Sequence, residues 1–109
     1  MKMTKKNTYR NGSLLFIFYP TDEKTYIAAC EELGLVVEEK DEELAHLKIR
    51  ANALSYLKNV CENKLGEHLL NQTLPKEIKN EFTAYVRKKE NENYEKKRIS
   101  FKKLSEMVK

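Results

Sequence analysis

The apolar residues of this chain fall into short runs and spaced stripes whose periods predict strands and helices. Leu14–Tyr19 is a continuous apolar run ended by Pro20, which predicts a strand buried on both faces. After Pro20 a stripe at helical spacing predicts a helix that ends at Gly34. The members of this stripe are Tyr26, Ala29, Cys30 and Leu33. Leu35–Val37 then predicts a second strand.

We interpret the acidic segment Glu38–Glu43 as a solvated turn. A strict alternation of apolar and polar residues follows it. The apolar members are Ala45, Leu47 and Ile49, and the polar members are His46, Lys48 and Arg50. Because side chains alternate between the two faces of a strand, this pattern predicts a third strand with one buried and one exposed face.

Helical patterns occupy the remainder of the chain. Asn52 can cap a helix whose apolar residues continue to Leu65, and Pro75 suits the first turn of another helix. The apolar stripe of that second helix is Ile78, Phe82, Tyr85 and Val86. Ser100 can cap a last short helix whose apolar edge is Phe101, Leu104 and Val108.

These elements predict an α+β fold in three parts. Residues 1–12 form a flexible basic arm, and residues 13–74 form a β-α-β-β-α domain with a three-stranded sheet. Residues 75–109 add one or two basic helices that are packed on the core or project from it. Since the first strand is apolar on both sides, its second face must be covered by these helices, by a second copy of the chain or by another partner.

The charge of the 109-residue chain is unevenly distributed around its net value of +4. Residues 1–12 carry four basic and no acidic residues, residues 13–71 six basic and eleven acidic, and residues 72–109 eleven basic and six acidic. An acidic body with basic ends is compatible with a polyanionic partner, and equally with ends that pack against the body.

The sequence offers no catalytic constellation, metal-ligand spacing or phosphate-binding glycine loop, so we expect no enzyme activity, no cofactor and no metal. Cys30 and Cys61 lie on predicted apolar faces and are interpreted as inert core thiols. The longest apolar run is far shorter than the roughly 18 residues that span a bilayer, and no signal peptide is indicated. The expected location is cytoplasmic.

Nucleic acid, and RNA in particular, is the partner that the basic residues favour, with a nucleoprotein complex as a variant of it. The candidate phosphate-binding residues are Lys48, Arg50, Arg87, Lys88, Lys89, Lys96, Lys97 and Arg98. Tyr9 or Tyr19 could stack on a base. A solvated charged surface remains the alternative interpretation, because Glu90, Glu92 and Glu95 interrupt the C-terminal cluster.

A protein-binding module, such as an inhibitor, an adaptor or a small subunit, is the alternative function. Its contact residues would be Ile78, Phe82, Tyr85, Phe101 and Leu104. These side chains either pack on the domain itself or dock into a groove of a partner or a second copy.

Overall fold

The structure is a computed structural model that describes residues 6–88 and 94–107. In chain order its elements are β1 (Ser13–Pro20), β2 (Tyr26–Cys30), β3 (Leu35–Glu39), α1 (Glu42–Asn63), a 3-10 turn (Glu67–Leu70), α2 (Lys76–Lys88), β4 (Glu95–Ser100) and α3 (Phe101–Met107). The predicted α+β class is confirmed. The predicted three-stranded sheet is wrong, because four antiparallel strands pair in the order β3-β2-β1-β4.

The segment predicted as the first helix is the strand β2. Thr21 and Thr25 close a hairpin turn, in which the Thr21 N–H donates to the Thr25 carbonyl at 2.8 Å. In β2, Ala28 and Cys30 enter the core on one face, while Ile27 and Ala29 enter the core on the other. A five-residue segment that is apolar on both faces fits a strand in the middle of a covered sheet.

The segment predicted as the third strand lies in the helix α1. Asp41 begins this helix, because its carboxylate accepts a hydrogen bond from the Glu43 N–H at 2.9 Å. The buried face of α1 consists of Ala45, Ile49, Ala53, Leu57 and Val60. Leu47 is 55% exposed, and Asn52, which was predicted to cap a helix, is an exposed residue in the middle of α1.

The charged segment predicted to be helical is the edge strand β4. Five of its six residues are exposed and Ile99 alone is buried, a composition that an outermost strand tolerates. The predicted last helix is present as α3, and the Ser100 hydroxyl caps it by accepting a hydrogen bond from the Lys103 N–H at 3.1 Å.

Helices cover both faces of the sheet, so the domain has three layers. One face, with Phe16 in its centre, packs against α1 and α3. The other face, with Ile17 and Tyr19, packs against Leu74 and the apolar stripe of α2. Helix α2, which lies in the predicted C-terminal extension, therefore covers the second face of β1. This is one of the three alternatives that the sequence left open for the covering of that face.

Residues 6–12 of the predicted flexible arm are fastened to the domain through Asn7, which is only 4% exposed. The Asn7 side chain donates to the Leu70 carbonyl at 2.8 Å and accepts from the Ser13 N–H at 2.9 Å. Its backbone N–H donates to the side-chain oxygen of Asn71 at 2.8 Å. This clasp joins the start of β1 to the 3-10 turn, and residues 1–5 lie outside the described residues.

Candidate nucleic-acid interface

The fold distributes the predicted phosphate-binding residues over three elements. Lys48 and Arg50 lie on α1, Arg87 and Lys88 end α2, and Lys96, Lys97 and Arg98 lie on β4. Lys89 lies outside the described residues. The two residues that the sequence assigned to an exposed strand face are therefore on a helix.

Two of the candidate cations form ion pairs within the domain. The Lys48 ammonium contacts the carboxylate of Glu39. The Arg98 guanidinium lies 2.9 Å from a Glu32 carboxylate oxygen and donates to the Ser13 hydroxyl at 2.9 Å. These contacts hold both side chains in place and make them less available to a phosphate.

On the α1 side of the sheet, Lys97 and Arg50 line one pocket of about 120 Å³. Lys97 pairs with Phe16 across β4 and β1, so its side chain belongs to the same face as α1. The Arg50 Nε–H donates to the carbonyl of His46, which lines the same pocket, at 3.2 Å. Arg50 and Lys97 thus line the same pocket beside the outer strand β4.

On the α2 side, Lys96 and Lys79 line a second pocket, of about 230 Å³, beside Phe82. Lys79 was missed by the sequence analysis, because only the pairing of β4 with β1 brings residue 96 beside α2. We call the four cations along β4, Arg50, Lys79, Lys96 and Lys97, the basic edge. In the parts of the chain that the structure describes, none of them takes part in an ion pair.

Lys88 lies in a different environment from the basic edge. It lines a pocket of about 100 Å³ together with Asp22, Glu81 and the Tyr85 ring. Here two carboxylates outnumber one cation and weaken its attraction for a phosphate, whereas each pocket of the basic edge holds two cations and one carboxylate, Glu95 or Glu31. Tyr19, which was a candidate for base stacking, is 1% exposed and donates its hydroxyl to Glu81 at 2.6 Å.

His46 lies between the basic edge and the core. Its ring stacks on Phe18 with the ring centroids 3.8 Å apart, and its Nε2 lies 4.0 Å from a Glu95 carboxylate oxygen. Burial lowers the pKa of His46, and the cations Arg50 and Lys97 lower it further. The carboxylates of Glu95 and Glu42 raise the pKa of His46 and offset part of this shift.

We expect this low pKa to make stability fall on acidification. The unfolded chain takes up a proton on His46 below its usual pKa of about 6.5, while the folded state takes it up only at lower pH. The free energy of unfolding should therefore decrease from pH 7 down to the folded-state pKa of His46. Chemical denaturation at several pH values should show a shallower decrease for His46→Gln, and no such change for the control His68→Gln, whose imidazole is exposed. Equal slopes for the two variants would contradict the assignment.

The thiols lie away from the basic edge. Cys30 is fully buried, and burial raises its pKa to about 12, which leaves it protonated and unreactive at neutral pH. Burial also raises the pKa of the half-buried Cys61. Within residues 6–88 and 94–107, no three potential ligands are grouped to hold a metal ion.

The apolar candidates for partner binding have contacts inside the domain. Ile78, Phe82 and Tyr85 pack on the second face of the sheet, where Phe82 lies 5.6 Å from Tyr19 between ring centroids. On the opposite face, Leu104 is 0% exposed and Phe101 packs beside it. The apolar stripe of α2 and the apolar edge of α3 therefore belong to the two hydrophobic cores of the domain.

The chain matches no protein-family model, no curated protein and no solved structure at a significant level. No helix in the described part is long and apolar enough to cross a membrane. The shape and charge of the surface are therefore the observations from which a function can be inferred.

Proposed function

We propose that this protein is a non-enzymatic, cytoplasmic binding protein that holds the phosphates of a nucleic acid along its basic edge. One observation supports this proposal: cations from α1, α2 and β4 lie on both sides of the outermost strand, free of ion pairs with any described residue. Lysine and arginine side chains that neutralise phosphates release condensed counterions, and this release drives binding without a catalytic group.

Single-stranded RNA is the form of nucleic acid that we favour. Tyr94 directly precedes β4 and is 40% exposed, so its ring is available for stacking on an unpaired base. The ring is fixed by edge contacts with Phe82 and Tyr85, whose centroids lie 5.9 and 6.4 Å away. A fixed aromatic ring beside a row of cations is the arrangement that sequence-tolerant single-strand binders use.

Fluorescence anisotropy with a labelled single-stranded RNA, measured across a series of salt concentrations, tests the proposal. We expect the wild-type affinity to fall steeply with salt, because each neutralised phosphate of a single strand contributes about 0.7 to the slope of log K against log[salt]. The double variant Lys96→Glu/Lys97→Glu should bind more weakly, and its slope should be shallower by about 1.4.

The matched control is Lys40→Glu/Lys58→Glu, which changes the net charge equally at two exposed residues away from the basic edge. It should retain most of the affinity and the wild-type slope. A flat salt response of the wild type, or an equal loss in both double variants, would overturn the proposal. Binding of duplexes as tightly as single strands would reject the preference for unpaired RNA.

A second candidate function, a protein-binding module, is favoured by a different feature. The sheet ends in the strands β3 and β4, and in the described part of the chain no further strand pairs with either of them. An edge strand can form main-chain hydrogen bonds with a strand from another molecule. This feature suggests a protein partner that adds to the sheet.

A further inference from the structure

The two edges of the sheet carry opposite charge. The edge strand β3 contains two acidic residues, Glu38 and Glu39, and no basic residue, a net charge of −2. The edge strand β4 contains three basic residues and one acidic residue, a net charge of +2. Charged side chains on an edge strand normally oppose pairing with another sheet, but opposite charges on two edges attract each other.

The geometry points to a second copy of this chain as the partner, with β4 of one molecule pairing with β3 of the next. Neighbouring strands all run antiparallel, so β4 runs opposite to β3 within one molecule. A copy displaced along the sheet without rotation therefore presents its β3 antiparallel to β4, and the two sheets become continuous. The α1 helices of both copies then lie on the same side.

One register pairs the side chains of these edges by charge and by face. Lys97 shares the α1 face with Phe16, and Glu39 shares it with Leu35 and Val37. If Lys97 pairs with Oε1 of Glu39 of the next copy, Ile99 pairs with Val37 on the same face. Oε2 of that Glu39 contacts Lys48 within its own copy.

In this register Arg98 faces Glu38 of the next copy on the α2 face, and the guanidinium N–H groups that do not bind Glu32 and Ser13 donate to it. Both residues belong to that face, because Arg98 lies opposite Leu15 and Glu38 lies opposite Ile27. Two opposite-charge pairs and one apolar pair thus form together, each of a kind that stabilises cross-strand contacts, while the like-charged Lys96 and Lys40 face each other only beyond the end of β3 at Glu39. The contact is heterologous, since it joins different surfaces of the two molecules, and it can propagate into longer chains.

This self-association is independent of the proposed nucleic-acid binding, although both use Lys97. Sedimentation velocity of the full chain without nucleic acid, over a range of protein and salt concentrations, measures it. We expect oligomers that grow with concentration and dissociate near 1 M salt, where the screening length is about 3 Å. A wild type that stays monomeric at low salt over the whole range would overturn the inference.

Two charge-reversed variants test the pairing itself. Glu38→Lys/Glu39→Lys gives a chain with two basic edges, and Lys97→Glu/Arg98→Glu gives a chain with two acidic edges. Each alone should associate at least about tenfold more weakly than the wild type, because like charges face each other across the contact. An equimolar mixture should associate again, since every contact then joins opposite charges.

Circular dichroism shows whether each variant is folded before it is mixed. Arg98→Glu removes the internal pair with Glu32, and Glu39→Lys removes the internal pair with Lys48. The Lys48–Glu39 pair is the more exposed of the two and contributes little to stability, so the β3 variant serves as the second measurement if the β4 variant is unfolded. Association that survives both reversals, or a β3 variant that associates like the wild type, would overturn the inference. The β3 variant retains the whole basic edge, so its affinity for RNA reports on the proposed function separately.

Discussion

Replacing Ile49 by alanine is expected to lower the free energy of unfolding by about 2 to 5 kcal/mol. Ile49 is 0% exposed and lies on the face of α1 that packs against the sheet, so its truncation leaves a cavity that the surrounding side chains fill only in part. A loss of this size is a large fraction of the roughly 5 to 15 kcal/mol that stabilises a small domain. Urea denaturation followed by circular dichroism measures it, since the chain has no tryptophan.

The matched control for Ile49→Ala is Leu47→Ala, two residues earlier in the same helix. Leu47 is 55% exposed, and alanine is a slightly better helix former than leucine, so this variant should stay within about 0.5 kcal/mol of the wild type. A strand over residues 45–50 would bury both side chains on one face and make both variants costly. Similar losses in the two variants would therefore contradict the helix.

This pair of residues shows why periodicity failed in the first half of the chain. Residues 45–49 alternate like a strand only because the exposed Leu47 happens to lie between two buried residues of a helix. The true period becomes visible over a longer window, where Ala45, Ile49, Ala53 and Leu57 recur every four residues. The acidic cap Asp41 was treated as part of a turn, although aspartate before a helical stripe is a start signal.

The strand β2 was mistaken for a helix because its apolar run shows no alternation at all. Tyr26–Cys30 is apolar throughout, and such a run contains the i, i+3 and i+4 positions of a helix as well as both faces of a strand. Only the tertiary structure decides between them, because α1 and α2 cover the two faces of the sheet. The prediction that β1 is covered on its second face was correct, since it needed only the run Leu14–Tyr19.

The sequence identified several residues of the candidate site but assigned them to the wrong elements. The sequence identified Lys96 and Lys97, but as members of a helix, where neighbouring residues point in different directions. As strand residues they point to opposite faces, and each lines a pocket together with a cation from a helix that is distant in sequence. Lys79 could not be found without the pairing of β4 with β1, because only this non-local pairing brings Lys96 to the pocket that Lys79 lines.

The second large loss of stability that we expect follows from breaking the clasp of hydrogen bonds around Asn7. Asn7→Ala should lower the free energy of unfolding by about 2 to 3 kcal/mol, because the Leu70 carbonyl and the Ser13 N–H each lose their hydrogen bond to a buried side chain. Asn11→Ala is the control, since Asn11 is an exposed asparagine in the same segment and should change stability by less than about 0.5 kcal/mol.

Gly12 provides an independent probe of the same clasp. A Cβ at residue 12 would collide with the side-chain oxygen and carbon of Asn7 and would lie 2.9 Å from the Phe101 ring. Gly12→Ala should therefore displace the Asn7 amide and destabilise the domain through the same hydrogen bonds. In the double variant Asn7→Ala/Gly12→Ala the added methyl group enters space that the asparagine has left, so the two losses should be less than additive, with a coupling of about 0.5 kcal/mol or more. Strictly additive losses would mean that residues 7 and 12 stabilise the domain independently, and the clasp would then not act as one unit.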